Sequence, residues 1–185
     1  MIGKQIQKPI NDWSEYTEAA IWCNANKAMI CDAGEYYEVV ALPEQTLEEA
    51  KAVRLTELNV AFISASENAH CQSSAGFEIN ADETANRNIE GLTLVLEPGE
   101  STLFRAYDNS FHEVTKEQLE TMRREIVENS QWLYQAKWTV ENQVESAETI
   151  EALEAIVITT EALTTLANSL EDAENPEGNA NEQTV

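Results

Sequence analysis

The residues best able to do chemistry lie in one stretch, STLFRAYDNSFHEVTKEQLETM, at positions 101–122. Arg105, Asp108 and His112 follow one another closely there, and a cation, a carboxylate and an imidazole could together transfer protons. A catalytic trio also needs a nucleophile held by an orienting group, and this stretch supplies none. We therefore interpret Arg105 and His112 as structural residues, in a cross-strand ion pair or with the histidine hydrogen-bonded to the turn backbone. Asp108 is interpreted as the acceptor that closes its own turn.

Histidine and cysteine side chains raise a second chemical question, because they are the preferred ligands of zinc. His70 and Cys71 could combine with Cys23, Cys31 or His112, but the short ligand spacings of zinc modules are missing. The glycine motifs of nucleotide-binding sites and of serine hydrolases are missing as well. The sequence predicts a protein that is not an enzyme and holds neither metal nor cofactor, with its cysteines as reduced thiols in apolar surroundings.

The elements around the opening stretch are a hairpin and a long helix. STLFRAY and FHEV alternate as strands do, and residues 108–110 between them have turn chemistry. Thr115 and Gln118 stand at capping-box spacing and open a helix over about residues 115–143. Its apolar stripe comprises Leu119, Met122, Ile126, Leu133, Ala136 (or Lys137), Val140 and Val144.

A second long helix is expected upstream, where Thr46 and Glu49 have capping-box spacing and apolar residues recur at helical intervals for about 20 residues. An extended run follows around Phe77 and Ile79. Residues 83–90 predict a short helix that ends at Gly91. The next residues, LTLVL, fit either a strand or a buried helical turn.

The N-terminal part, residues 1–43, is predicted to be a small helix-plus-hairpin cap. Ser14 is placed as the N-cap of a helix over about residues 15–25. Two β-prone runs then flank a turn at residues 32–34, and Pro43 closes the second run.

The C-terminal part predicts one helix over residues 149–170. A coiled-coil seam can be drawn there over three heptads, with Ile156, Leu163 and Leu170 seven apart and Ala152, Thr159 and Leu166 at the intermediate positions. A seam of this kind would support homo-oligomerisation. Residues 171–185 contain proline, glycine and acids without an apolar period, and they predict a flexible acidic tail.

Together these elements predict an α+β fold in which two long helices pack on a central β-hairpin region. The predicted divisions are the cap at 1–43, a main α+β domain at 44–146, a C-terminal helix at 147–170 and the tail at 171–185.

Charge excludes whole classes of partner. The 185 residues carry 34 acids and 11 Lys or Arg, a formal net charge of −23. Nucleic acids and anionic membrane surfaces are bound chiefly through Lys and Arg, so neither is expected as a partner. The chain has no apolar run long enough for a membrane span and begins without the apolar core of a secretory signal. These features predict a protein that stays in the cytoplasm where it is made.

Aromatic residues mark the predicted partner-binding surface. Trp132, Tyr134 and Trp138 lie off the apolar stripe of the long helix. They could form a contact patch, because Trp and Tyr are enriched at binding hot spots, or they could pack under a neighbouring element. The predicted partner-binding residues are these three together with four from the seam, namely Ile156, Leu163, Leu166 and Leu170.

Several motifs in fixed order resemble a family of uncharacterised domains found in tailed bacteriophages and prophages, often encoded near tail-fibre genes. They are C-x-S-S-x-G-F from Cys71, A-D-E from Ala81, N-I-x-G-L from Asn88 and F-R-x-Y-D-N-x-F-H-x-V-T from Phe104, followed by the helix with Trp132, Tyr134 and Trp138. The resemblance covers about residues 47–158 and implies no catalytic residues.

What the resemblance implies is a role in the phage tail. The leading hypothesis is a tail-fibre assembly factor, or chaperone, that binds a tail-fibre or other tail protein in the host cytoplasm. The alternative is a structural component of the tail or fibre that stays in the virion. A small hydrolase that uses the polar hairpin is a third and weaker hypothesis.

Overall fold

The fold mixes helices with small antiparallel sheets, as the α+β prediction stated. The computed structural model describes residues 1–174, which contain six helices and seven strands. The chain separates into two compact units, Met1–Thr46 and a second that begins at Leu47. Within the described residues, no helix combines the length and apolarity that crossing a membrane requires.

The first unit is a three-stranded sheet with one helix. Its elements are β1 (Gln5–Gln7), α1 (Trp13–Ala25), β2 (Ala28–Asp32) and β3 (Tyr36–Ala41), and the strand order is β1-β3-β2. The predicted hairpin is β2–β3, whose turn closes with Gly34 N donating to Asp32 Oδ1 over 2.8 Å. The N-cap of α1 is Asp12 and not Ser14 as the sequence suggested. Both the amide and the hydroxyl of Ser14 donate to the Asp12 carboxylate, an anion that the positive end of a helix favours.

The second unit contains the remaining nine elements of the described chain. They are α2 (Leu47–Glu67), β4 (His70–Gln72), β5 (Glu78–Asn80), α3 (Glu83–Val95), β6 (Ser101–Arg105), β7 (Phe111–Thr115), α4 (Lys116–Ser146), α5 (Ile150–Glu154) and α6 (Thr160–Glu174). β4 pairs with β5 and β6 pairs with β7, each as an antiparallel hairpin. The two long predicted helices are α2 and α4.

Helix α4 contributes buried residues to three apolar clusters, the third of them through Val144, which packs with Ala50 and Leu153. All seven of its buried residues belong to the predicted stripe, and Ala136 is the buried choice of the pair Ala136 or Lys137. Its first half packs with α3 and the two hairpins around Ile79, Val114 and Met122. Its second half packs with α2 and α6 around Leu58, Leu133 and Leu163. Because one helix contributes to all three clusters, it ties the hairpin region to the helical region.

The start of α4 confirms the predicted capping box. Thr115 Oγ1 accepts from Gln118 N, and the Gln118 side chain accepts from Thr115 N over 2.9 Å. Replacing Thr115 with alanine is expected to lower the free energy of unfolding by about 1 kcal/mol, because an amide at the helix start loses its acceptor. Thr115→Ser keeps the hydroxyl and should lose far less. Chemical denaturation of both variants measures the difference, and equal losses would contradict the capping role.

Helix α3 is longer than predicted. The expected stop at Gly91 is wrong, because the helix continues through Val95, so the first four residues of LTLVL are helical and none of them forms a strand. The extra turn brings Leu92 and Leu96 onto the apolar cluster around Met122, which offsets the cost of a glycine inside a helix. Leu94 and Val95 face away from that cluster and are exposed. The C-cap of α3 is Leu96 in an extended conformation, with its amide donating to the carbonyl of Leu92, and Lys116 Nζ donates to the Leu96 carbonyl over 2.7 Å.

The C-terminal segment is not one helix over residues 149–170, as the sequence suggested, but two. The chain leaves the helical path after Glu154 and re-enters it at Thr160. In the break the Arg54 guanidinium donates to the carbonyl of Ile156, so an arginine from α2 holds a backbone group that a continuous helix would have paired internally. The first four residues of the predicted tail, 171–174, belong to α6, and residues 175–185 lie outside the described part of the chain.

Candidate functional site

Arg105, Asp108 and His112 lie on the β6–β7 hairpin, and each bonds to the turn that joins its strands. The Asp108 carboxylate accepts from the amide and hydroxyl of Ser110, at 2.8 and 2.6 Å, and these bonds hold the pKa of Asp108 below its usual value. Arg105 donates to the side chain of Asn109, and His112 Nε2 lies 2.8 Å from Ser110 Oγ. The predicted turn chemistry of residues 108–110 is confirmed. The predicted cross-strand pairing of Arg105 with His112 is wrong, because the register places Arg105 opposite Phe111 and His112 opposite Phe104.

Both histidines stack on aromatic rings and join the two hairpins. The ring of His112 lies 3.9 Å from that of Phe77 at an interplanar angle of 9°. His70 stacks on Tyr107 at 4.3 Å, and its Nδ1 lies 2.6 Å from a carboxylate oxygen of Glu78. The arrangement fixes the position of the β6–β7 hairpin against β4–β5.

The suggested zinc ligands do not meet as a cluster. Within residues 1–174, no three His, Cys, Asp or Glu side chains lie close enough together to hold a metal ion. Burial, followed by the nearby carboxylates of Glu125 and Glu171, raises the pKa of the Cys71 thiol to about 12. A thiol with that pKa stays protonated near neutral pH, which disfavours both nucleophilic attack and metal binding at Cys71.

The motif C-x-S-S-x-G-F forms the turn between β4 and β5, and α4 holds it through Glu125. The buried hydroxyl of Ser73 donates to Glu125 Oε2 over 2.7 Å, and the amide of Ser74 donates to Oε1 over 3.0 Å. Partial burial opposes ionisation of Glu125, but the bonds from both serines outweigh it and lower the pKa of the carboxyl. Gly76 has a φ of +94°, a backbone conformation that side chains disfavour. The residues of this motif therefore have a structural role, which is to form the β4–β5 turn and attach it to α4.

The predicted aromatic residues divide between the core and the surface. Trp132 packs against the apolar cluster of α2, α4 and α6. Tyr134 and Trp138 are 39% and 51% exposed. Tyr134 lies 4.9 Å from the ring of Phe62 on α2 and 5.9 Å from that of Trp138. We call Phe62, Tyr134 and Trp138 the aromatic face.

A cavity of about 550 Å³ lies beside the aromatic face. We call it the α2–α4 cavity, since α2 and α4 supply its long walls and the start of α3 closes one end. Phe62 and Tyr134 belong to both the cavity lining and the aromatic face, so the two are continuous. Ile63 and Val127 also line the cavity and are about half exposed, at 54% and 45%. Apolar surface in this position is suited to contact with another molecule.

The four predicted seam residues lie in a different environment from the aromatic face. Leu163 is 1% exposed and belongs to the cluster with Leu58 and Leu133, and Ile156, Leu166 and Leu170 pack against that cluster. The seam thus faces α2 and α4 of its own chain. Heptad spacing indicates an apolar stripe but does not say whether its neighbour belongs to the same chain or another.

Sequence reasoning found Tyr134 and Trp138 but missed the part that α2 contributes. Neither Phe62 nor Ile63 was among the predicted partner-binding residues. Val60 and Ile63 lie off the buried positions of α2 and are exposed. These apolar residues, on a helix that already has a buried apolar stripe, were the sequence signal for a second contact surface on α2.

Comparison with known proteins gives one match. A family described as "Domain of unknown function (DUF4376)" matches residues 49–160, which is more than half of the chain. The matched region runs from the start of α2 to the start of α6 and includes Phe62, Tyr134 and Trp138. No curated protein and no solved structure gives a significant match.

Proposed function

The chain belongs to the family described as a domain of unknown function (DUF4376), and on that premise we propose that it is a non-enzymatic assembly factor, or chaperone, for phage tail fibres. In this proposal it binds a tail-fibre or other tail protein in the cytoplasm of the host bacterium. The phage assignment is supported by the resemblance of the ordered motifs. The binding mode is supported by the aromatic face, which is the single observation that carries the proposal.

The aromatic face has the properties of a binding surface. The ring of Tyr134 contacts those of Phe62 and Trp138, and these contacts restrict all three side chains. Little side-chain entropy is therefore lost when a partner covers them. Trp and Tyr also provide large contact areas and are enriched among residues that dominate binding energy. The neighbouring cavity offers a place for a partner side chain beside the rings.

Substitution on the aromatic face tests its role directly. Replacing Trp138 with alanine is expected to weaken binding of the tail-fibre protein by roughly thirtyfold, as loss of a hot-spot aromatic does. Stability should change little, because half of the Trp138 side chain is already exposed. Co-expression with the fibre gene encoded nearby, followed by pull-down and calorimetric titration of the purified partners, measures the affinity.

The matched control is Val157→Ala, which removes an apolar side chain that is 66% exposed and lies outside the aromatic face. It should bind as the unaltered chain does. Equal affinity for both variants would show that the aromatic face is not the binding surface.

Quantitative proteomics of purified virions separates a chaperone from a tail component. An assembly factor should be depleted from the finished particle. Presence in stoichiometric amounts would replace the chaperone proposal with that of a structural protein retained in the tail or fibre.

A further inference from the structure

The charged residues that line the α2–α4 cavity are all acidic. Three carboxylates, those of Glu67, Asp82 and Glu83, line it together with apolar side chains. Among residues 1–174, no lysine or arginine lines it, although Lys137 Nζ lies 5.0 Å from the centroid of the Phe62 ring on the aromatic face. A ligand that matches this lining must bring apolar surface and positive charge together.

The three carboxylates differ in how far they are already engaged. Asp82 caps α3 by accepting from Ala85 N over 2.9 Å, and Glu83 pairs with Arg87 on the same helix. The Glu67 carboxylate makes no hydrogen bond or ion pair within the described residues. Glu67 is therefore the acid best placed to receive a cation from outside.

A second observation points to a hydrogen-bond donor. Asn86 lines the same cavity, and its side-chain oxygen Oδ1 is buried with no hydrogen-bond partner among residues 1–174. An unpaired buried acceptor is costly, and rotation of the partly buried Asn86 side chain toward a donor in the cavity would recover part of that cost. Lysine and arginine carry several donors and no acceptor, and their aliphatic stems suit apolar walls.

We propose that the α2–α4 cavity receives a lysine or arginine side chain from an apolar segment of the partner protein. This inference rests on the proposed function and specifies its partner as a polypeptide in which basic and apolar residues alternate. A polypeptide fits better than a free amine because the cavity continues into the aromatic face, where the exposed rings of Tyr134 and Trp138 give contact area to apolar neighbours of the basic residue. A second copy of this chain fits poorly, because each copy carries a net charge of −23.

The test uses the full chain and defined probes. One probe is a short synthetic peptide of alternating leucine and lysine, and its matched partner has glutamine in place of lysine. Methyl NMR of Ile63, Ile126 and Val127 reports whether a probe enters the cavity. The lysine peptide is expected to shift these signals and to bind about tenfold more tightly than the glutamine peptide.

Charge reversal at two acids separates cavity binding from general attraction to an acidic chain. Glu67→Lys is expected to weaken the lysine peptide about tenfold, while the control Glu148→Lys, with the same charge change outside the cavity, changes it less than twofold. Neither variant should alter binding of the glutamine peptide. The milder Glu67→Gln variant tests the same contact if the reversal reduces the melting temperature.

Three results would overturn the inference. They are equal weakening by both reversals, methyl shifts that spread over the acidic surface without favouring the cavity, and binding of spermidine as tight as that of the lysine peptide. Pull-down of the fibre protein with Glu67→Lys distinguishes the two proposals. Unchanged capture of the fibre protein keeps the proposed function and rejects the cation site. Binding of the peptide in the cavity without capture of the fibre protein keeps the cation site and rejects the proposed function.

Discussion

Replacing Leu163 with alanine is expected to lower the free energy of unfolding by about 3 kcal/mol. Leu163 is 1% exposed, and its side chain fills the space that α6 shares with α2 and α4 around Leu58 and Leu133. Truncation removes buried methyl groups and leaves a cavity that the surrounding helices can only partly close. Urea denaturation followed by circular dichroism measures the loss.

The matched control is Leu94→Ala, which removes the same atoms from a helical side chain that is 80% exposed. It should change the free energy of unfolding by less than about 0.5 kcal/mol. Similar losses for the two variants would contradict the packing of α6 against α2 and α4.

The Leu163→Ala variant also tests the predicted association through residues 149–170. If Leu163 serves an intermolecular seam, Leu163→Ala should lower the sedimenting mass. Unfolding of the unaltered chain should then depend on protein concentration. If Leu163 serves only its own chain, the mass stays constant while stability falls. Sedimentation velocity of the folded variant, over a range of concentrations, decides between these outcomes.

Replacing Glu125 with alanine is expected to be the second most damaging change, at about 2 kcal/mol. The carboxylate accepts from Ser73 and Ser74 in the β4–β5 turn, and Ser73 is 3% exposed, so its hydroxyl would lose its acceptor away from water. Glu125→Gln keeps one acceptor oxygen and should lose about half as much. Glu128→Gln, an acid on the exposed side of the same helix, is the control for charge alone.

The pH dependence of stability has a definite sign at Glu125. Its carboxyl has a lowered pKa in the folded protein, so the folded state favours the ionised form more than the unfolded chain does. The resulting stabilisation is complete above the unfolded pKa of about 4.3 and disappears as pH falls through the lower folded value. Glu125→Gln should therefore flatten the acid limb of the stability profile, and a limb as steep as that of Glu128→Gln would contradict this role.

Local patterns in the sequence determined the elements and their ends where short-range chemistry decides them. Thr115 and Gln118 specify the start of α4 because each side chain reaches only the backbone of the other. Asp108 and Ser110 specify the β6–β7 turn for the same reason. The stripe of α4 was predictable residue by residue, because a helix that contacts neighbours along one side buries positions at a fixed period.

At two places where the prediction was wrong, a distant contact decided the outcome. Gly91 would suit a helix end, but burial of Leu92 and Leu96 against another part of the chain extends α3. The heptads of 149–170 favour one helix, but Arg54, far away in sequence, binds the carbonyl of Ile156 in the break. Neither contact leaves a local pattern, because the partner residue comes from another element.

The aromatic face and the α2–α4 cavity were also predictable only in part from the sequence. The sequence by itself determined that Trp132, Tyr134 and Trp138 lie off the core stripe of α4, since this follows from the helical period. Only the tertiary structure decided which of them are exposed, and that α2 adds Phe62 and a cavity lined with Glu67. The physical reason is that the angle and offset at which two helices pack depend on all the side chains between them, and this packing creates both the aromatic face and the cavity.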